Sequence, residues 1–333
     1  MLARIAKNWR FKMAVQKAIG LLPAELAFPL NDWLVRLSSG SVDSRIDTIG
    51  RANKCIDNLG FLREWGEVGP ETLDTVLEMG TGWHAIDPIV FHLLGAKRIV
   101  TVDHWRHLTG GVVREQIEWM NIHFSELDLD GWVDRDVAHR RLTALQEGGK
   151  GSDLDGLLER MNCRYVIVPS SRLDRIGLGP EEVSFFYSES VLQRVPTRDL
   201  EVSLNYLGRH LLKLGGVFFI RTDQKDIHAQ EHVDTSRWPF EFLKYSDRTF
   251  ALMSSEKLNF QNRLRESDFV TMLEAAGLEV LRVGSSVKDE DVARMDRFNV
   301  YSRFEGYATR DLVTSASRFV GQKPNRPGDS QTC

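Results

Sequence analysis

The sequence is poor in cysteine. Only three cysteines occur among the 333 residues, at positions 55, 163 and 333. They are far apart and odd in number, which excludes a disulfide framework of the kind found in small secreted domains. No two of them have the Cys-x-x-Cys spacing of a zinc site. This low cysteine content is typical of a reducing compartment, so we expect a cytoplasmic protein.

Long apolar runs and a strong net charge are also missing. No stretch of about 18 apolar residues occurs, which excludes a membrane-spanning helix, and the N-terminus lacks the apolar core and cleavage site of a secretory signal. The net charge of -4 gives no bulk attraction to nucleic acid, so we expect no nucleic-acid partner. A hydrophobic content of 42% over 333 residues suffices for one well-packed domain with extensions.

The stretch VLEMGTGW, at positions 76–83, is the most informative part of the sequence. An apolar strand pattern runs into Glu78, two glycines follow, and an apolar helical pattern begins at Asp87 and Pro88. Glycine lets the backbone approach a ligand where a Cβ would collide. Asp87 is a suitable helix cap, and Pro88 suits the first helical position. We interpret the stretch as a nucleotide-binding turn between a strand and a helix.

A second apolar run ends in Asp103, within VTVDHW. An acidic residue about 20 positions after a glycine turn, at the end of the next strand, can accept hydrogen bonds from both hydroxyls of a ribose. The relaxed dinucleotide fingerprint is also satisfied, by Gly80-x-Gly82-x-x-Ala85, so the turn alone leaves a nicotinamide cofactor open. Glu78 favours S-adenosylmethionine (SAM), because its carboxylate would repel a pyrophosphate but would attract an ammonium group.

The two motifs together, LEMGTGW and VTVDHW, resemble the first two motifs of class I SAM-dependent methyltransferases, as found in bacterial methyltransferase-domain proteins. His84 stands where the family usually has a third glycine, and Arg194 where it commonly has histidine. The resemblance covers about residues 70–320, including the double-glycine turn before the fifth strand. It implies an α/β Rossmann-like methyltransferase fold, a doubly wound, mostly parallel seven-stranded sheet, with SAM as the cofactor.

Three parts are expected along the chain. Residues 1–70 form a helical N-terminal extension, residues 71–321 form the SAM-binding domain with a helical insertion at about 106–162, and residues 322–333 form a disordered tail. Residues 1–26 carry five basic residues before the first acid. Such an amphipathic helix can lie weakly on an anionic membrane surface or can pack against its own domain, and the sequence leaves both open.

Several boundaries within these parts are also predicted. They are a second helix of the extension at 29–37, a long helix at 200–214, a sixth strand at 278–283 and a seventh at 311–320. The fourth strand, 183–188, is a continuous apolar run suited to burial on both faces.

The resemblance and the positions relative to the strands indicate the side chains of the cofactor site. They are Glu78, Gly80, Thr81, Gly82, Trp83, Asp103, His104, Ser171, Ser188 and Glu189. Structural alternatives stay open for some of them, since Glu78 could form a salt bridge at a strand end and Glu189 could cap the next helix. Trp105 could contact the adenine or belong to the core.

Histidine has the pKa that a general base for an oxygen acceptor needs. His228 is the first candidate, because it follows the fifth strand at the edge where the cofactor is expected. Asp226 would orient its ring, with Asp223 as the alternative. His84 and His104 are further candidates. His228 could equally be a solvated loop residue.

No metal centre is predicted. The histidines and acids after the fifth strand show no HExxH motif or other established ligand spacing. Arg263 and Arg265 could clamp an anionic group of the acceptor, or could pair with Glu266 and Asp268 where a helix starts.

These observations predict a SAM-dependent methyltransferase that transfers a methyl group to an oxygen of a small molecule. Two alternatives remain. The relaxed fingerprint permits an NAD(P)-dependent oxidoreductase, although no Tyr-x-x-x-Lys pair is evident. The departures at His84 and Arg194 permit a catalytically inactive methyltransferase-fold binding module.

Overall fold

The computed structural model describes residues 9–39, 47–65, 70–229, 237–255, 258 and 260–325. None of the helices within these ranges is both long and apolar enough to cross a membrane.

Seven strands form one sheet in the order β3-β2-β1-β4-β5-β7-β6. They are β1 Thr75–Met79, β2 Arg98–Asp103, β3 Cys163–Ile167, β4 Val183–Glu189, β5 Leu212–Asp223, β6 Glu279–Ser286 and β7 Ala316–Gln322. The first five are parallel, and β7 runs antiparallel between β5 and β6. The prediction of a doubly wound, mostly parallel seven-stranded sheet is confirmed. The strand order reverses between β1 and β4, and open α/β sheets bind ligands at the carboxyl ends of the strands at such a point.

Helices cover both faces of the sheet. They are α1 Trp9–Gly20, α2 Ala24–Ser39, α3 Thr48–Arg63, α4 Ile86–Leu94, α5 Gly110–Ile122, α6 Arg135–Gly148, α7 Leu154–Arg160, α8 Thr197–Tyr206, α9 Asp247–Met253, α10 Glu266–Ala275, α11 Asp289–Met295 and α12 Thr309–Leu312. One apolar core packs α3 to α7 against the sheet, and a second packs α8 and α10 against the other face. Accordingly β4 is buried at every residue but the last.

The second helix of the extension starts earlier than expected. It begins at Ala24 and contains Pro29 in its interior. An interior proline removes one helical hydrogen bond and costs about 3 kcal/mol. Ala27 and Phe28 of the same helix are buried against the rest of the protein, so tertiary packing outweighs that cost.

The long helix predicted at 200–214 is shorter in the structure. Helix α8 ends at Tyr206 and continues only as a π turn, Leu207–Leu211, before Leu212 begins β5. Leu212 already pairs with Val183 of β4. The hydrogen bonds and burial that this pairing provides outweigh the helical periodicity of the sequence.

The last strand is also displaced from its predicted position. Residues 309–312 form α12, and β7 runs from Ala316 to Gln322, one residue beyond the predicted domain boundary. Lys323 then exchanges backbone hydrogen bonds of 2.8 Å with Gly215 and Gly216. Residues 326–333 of the predicted tail lie outside the described residues.

Candidate cofactor site

The glycine turn follows β1 and has two glycines with different constraints. Gly80 (φ 99°) and Gly82 (φ 64°) both have left-handed backbone conformations that favour glycine. A Cβ on Gly80 would lie 2.0 Å from Val191 Cγ2, whereas a Cβ on Gly82 would meet nothing within 4 Å. Gly80 is therefore required for packing, and Gly82 borders open space that a ligand can enter.

Glu78 is buried just below this turn, with 3% of its surface exposed. It accepts a short hydrogen bond from the hydroxyl of Thr101, which also bonds the hydroxyl of Thr81. Burial, and next the charge of Asp87, raise the pKa of Glu78 well above its usual value. No lysine or arginine within the described ranges lies in salt-bridge distance of Glu78. The strand-end salt bridge is thus unsupported, and the carboxyl group suits a cationic ligand.

Asp87 does not cap the helix, contrary to the expectation from sequence. Helix α4 has Ala85 as its N-cap, without a side-chain bond, and Asp87 lies within the first turn. Its side chain is directed inward, where it hydrogen-bonds Cys55 and Glu78. Burial, followed by the charge of Glu189, raises the pKa of Asp87 to about 7. The helix start therefore contributes a second, half-buried carboxyl group next to Glu78.

Asp103 joins the end of β2 to the glycine turn. Its Oδ2 accepts the Gly82 N–H at 2.7 Å, and its Oδ1 accepts the His104 N–H at 2.7 Å and lies 2.8 Å from His104 Nδ1. Burial alone would raise the pKa of Asp103, but the hydrogen bond and charge of His104 outweigh it and hold the pKa below the usual value. Asp103 is thus an ionised acceptor at the predicted ribose position.

An aromatic cluster lies beside Asp103. Phe28, from helix α2, stacks on Trp105 with ring centroids 4.5 Å apart, and it also contacts His104 edge-on at 5.4 Å. Trp83 lies 4.6 Å from the ring of His107. The N-terminal extension therefore covers the edge of the sheet at which the resemblance implies that the adenine binds. Trp105, which follows β2 at that edge, packs against Phe28 of the extension.

The end of β4 carries Ser188 and Glu189. Ser188 is fully buried and donates its hydroxyl to the Met79 carbonyl at 3.1 Å, which ties β4 to the last residue of β1. Glu189 is not a helix cap. It lies 2.6 Å from Lys54 Nζ and accepts a bond of 2.9 Å from Arg221.

Ser171 lies in the turn that follows β3. It is 4% exposed and has a left-handed backbone (φ 49°). The Val168 N–H of this turn donates to the Asp103 carbonyl at 2.8 Å, so the turn adjoins the end of β2. The adenine contact of Ser171 stays a prediction.

The proposed catalytic residues lie after β5. Asp226 is fully buried, and its Oδ2 lies 3.3 Å from Arg237 Nη2. Its N–H donates to the Pro239 carbonyl at 2.8 Å. His228 belongs to the short helix Ile227–Ala229, but its side chain lies outside the described part of the structure, as does all of His232. The pairing of Asp226 with His228 therefore stays a prediction.

Arg263 and Arg265 both have structural contacts. Arg265 is fully buried and donates to the carbonyls of Gln224, at 3.0 Å, and Leu312, at 3.4 Å. Burial lowers its pKa to about 10. Arg263 donates to the Tyr245 carbonyl at 2.7 Å and pairs with Asp247. Both guanidinium groups contact the loops around a small aromatic core after β5, which supports a structural role for them; the anion clamp stays untested.

Sequence reasoning missed the contribution of the N-terminal extension to this site. Helix α3 supplies Lys54 and Asn58, and Asn58 Nδ2 lies 3.0 Å from the Tyr187 hydroxyl and 3.1 Å from Glu189. Helix α2 supplies Phe28 and Asp32. The apolar periodicity of this region predicted that it is helical. It did not indicate that polar side chains of these helices contact the ends of strands.

Comparisons with known proteins concern the fold. No protein-family model matches the chain, and no curated protein matches it significantly. A solved complex between the Haloferax volcanii Trm112 methyltransferase activator and the putative methyltransferase is 15% identical, covers 84% of this chain and 95% of that chain, and has a TM-score of 0.39. A geranyl diphosphate methyltransferase in complex with SAM is 13% identical, with coverages of 81% and 85% and a TM-score of 0.41.

A putative sarcosine dimethylglycine methyltransferase from Galdieria sulphuraria is 12% identical, with coverages of 83% and 86% and a TM-score of 0.41. All three solved structures are described as methyltransferases, the class that the sequence motifs resemble. Identities and TM-scores this low say nothing about the activity of this chain. The strand order of its own sheet establishes the doubly wound fold.

Proposed function

We propose that this protein is a SAM-dependent methyltransferase that acts on a small molecule. The observation that carries the proposal is Glu78, a buried carboxyl group without a basic partner among the described residues, below a glycine turn. Burial raises its pKa because a buried charge without a partner is costly, and a cationic ligand would favour the ionised form. A cationic ammonium group at this position would compensate the charge.

The residues of the crevice fit SAM in three respects. Glu78 would receive the ammonium group, Asp103 would receive the ribose hydroxyls, and the open side of Gly82 leaves room for the ligand backbone. Trp83 and His104 would flank the nucleoside. When bound, SAM supplies an electrophilic methyl group, and the chain supplies binding, orientation and proton transfer.

The proposed acceptor atom is an oxygen, with His228 as the general base. The turn Ile227–Ala229 follows β5 at the carboxyl edge of the sheet. The buried contact between Asp226 and Arg237, together with the Asp226 N–H bond to Pro239, fixes the start of this turn. A histidine held there would accept the hydroxyl proton of the acceptor as the bond to the methyl group forms.

Calorimetric titration with S-adenosylhomocysteine (SAH) tests the cofactor. We expect heat of binding and a higher melting temperature with SAH, and neither with NADH. The reverse result would support the oxidoreductase and refute the proposal. Glu78→Gln should weaken SAH binding, whereas Glu182→Gln, a surface change at the opposite end of β4, should not.

Turnover needs a separate assay, because a binding module could also bind SAH. Incubation with methyl-labelled SAM and a metabolite extract should transfer label to a small molecule in wild-type protein. Binding of SAH without any label transfer, over a range of extracts, would support the inactive binding module instead.

A further inference from the structure

Four side chains that commonly ligate metals meet where β2 ends beneath helix α2. Asp103, His104 and His107 each offer one ligand atom, and these three atoms lie within 4.8 Å of one another. Asp32, from α2, adds a carboxylate whose Oδ2 lies 3.5 Å from His107 Nδ1. Asp103, His104 and His107 thus offer three ligand atoms at one place, and Asp32 adds a carboxylate beside His107.

Two buried atoms of this cluster lack a hydrogen-bond partner in the part of the chain that the structure describes. They are Asp32 Oδ1 and His107 Nδ1. The His107 side chain is 10% exposed and that of Asp32 is 16% exposed. Nearly all buried polar atoms in folded proteins have a partner, and a metal ion at this place would provide one for both atoms.

The spacing of the ligand atoms suits a tetrahedral metal ion. With bonds of about 2.1 Å, two ligand atoms of a tetrahedral site lie about 3.4 Å apart. His107 Nδ1 and Asp32 Oδ2 are 3.5 Å apart, while His104 Nδ1 and Asp103 Oδ1 are 2.8 Å apart. The side chain of His104 is 41% exposed and has room to rotate. A small rotation can lengthen the distance between His104 Nδ1 and Asp103 Oδ1 to the tetrahedral value.

The basic residue between the two histidines has its partners outside the cluster. Arg106, between the two histidines, pairs with Asp155 at 3.5 Å and lies over the ring of Tyr165. Phe28 and Trp83 pack against the ring of His107. Imidazole with carboxylate ligands suits Zn²⁺ and Co²⁺, whereas Ca²⁺ and Mg²⁺ prefer oxygen ligands alone.

We propose that Asp32, Asp103, His104 and His107 form a binding site for a divalent transition metal of the Zn²⁺ class. The ion would link helix α2 of the N-terminal extension to the end of β2. Sequence analysis did not single out the Asp-His-x-x-His pattern at 103–107 as a metal site. The further carboxylate, Asp32, is distant in the chain and comes next to His107 only in the folded protein.

The metal and the proposed cofactor should exclude each other, a consequence that rests on the proposed function. Both need Asp103, whose Oδ1 already bonds the His104 N–H and lies next to His104 Nδ1. Competition for one carboxylate makes the coupling reciprocal, so zinc should weaken SAH binding by the same factor by which SAH weakens zinc binding.

Zinc and cobalt titrations of the full-length protein test the site. Cys333→Ser is included in every protein to remove an adventitious ligand. The double variant Asp32→Asn with His107→Phe keeps the approximate shapes of both side chains, removes the imidazole nitrogens and replaces the carboxylate by a neutral, weaker-binding amide. His139→Phe, whose ring stacks on Phe124 away from the cluster, is the matched control.

We expect one zinc ion per chain and tetrahedral Co²⁺ absorption bands in wild type and the control. The double variant should bind zinc at least about 100-fold more weakly, since loss of outer-shell partners alone weakens metal sites 10–100-fold. Equal affinity in the double variant and wild type overturns the site. If thermal melting shows that the double variant is unfolded, Asp32→Asn alone decides: unchanged affinity overturns the proposal, and a loss supports it.

SAH titrations with EDTA and with zinc separate the two proposals. If SAH binds in EDTA and zinc does not affect it, Asp103 is not a shared ligand and the proposed coordination is overturned. If zinc binds as expected but SAH does not bind in EDTA, the metal site is supported and the proposed cofactor fails.

Discussion

Replacing Asp87 by asparagine should stabilise the ligand-free protein at alkaline pH. Burial, and next the charge of Glu189, raise the pKa of Asp87 to about 7 in the folded protein. An unfolded aspartate has a pKa of about 3.9. A carboxyl group whose pKa is raised on folding contributes its full stability below the unfolded value and loses it as the pH rises through the folded value. Wild type should therefore lose stability between about pH 4 and pH 7.

The magnitude follows from the size of this shift. A difference of about three pKa units corresponds to about 4 kcal/mol at 1.36 kcal/mol per unit, which is an upper value for a carboxyl group so close to other acids. An amide of the same shape does not ionise and can still accept a bond from the Cys55 thiol. Removing the charge of Asp87 also lowers the pKa of Glu78, which is raised in part by that charge. We expect a gain of roughly 2–4 kcal/mol at pH 9 relative to pH 4.

Urea unfolding of ligand-free protein at pH 4, 5, 7 and 9 measures this difference. Asp74→Asn is the control of opposite sign, because a hydrogen bond from Lys97 lowers the pKa of Asp74. Its variant should lose stability relative to wild type as the pH rises through the acidic range. A difference for Asp87→Asn that does not change with pH, or that grows toward acidic pH, would refute the raised pKa of Asp87.

Four further outcomes are expected. Glu78→Gln should weaken SAH binding about 10- to 100-fold, because hydrogen bonds to charged groups contribute about 1.5–3 kcal/mol; unchanged affinity in calorimetry would remove Glu78 from the site. His228→Ala should lower kcat about 10²- to 10⁴-fold and leave SAH affinity unchanged, and full turnover would withdraw the general base. Gly80→Ala should destabilise the protein because its Cβ would overlap the Val191 side chain, and Val191→Ala in the same protein should recover part of the melting temperature. Residues 1–26 should bind anionic vesicles in a salt-sensitive way, with about 1 kcal/mol per basic residue near the surface; equal sedimentation with neutral vesicles would leave only a packing role.

The sequence by itself determined the order of strands and helices around the crevice and its principal acids. Glu78 and Asp103 were found because each lies near the end of an apolar strand at a fixed distance from a glycine turn. In the structure Asp103 Oδ2 accepts the Gly82 N–H at 2.7 Å, and its bond to a ribose stays a prediction. Such information is local, since a strand end and the turn after it are specified by neighbouring residues.

Only the tertiary structure decided which surfaces close over the crevice. Asp87 fits the local pattern of a helix cap, yet its contacts with Cys55 and Glu78 direct it into the core. Asp32 and His107 meet only because α2 packs across the end of β2. Contacts between residues so far apart in the chain leave no periodic signal in one sequence, because the energy that selects them comes from packing and burial in the assembled fold.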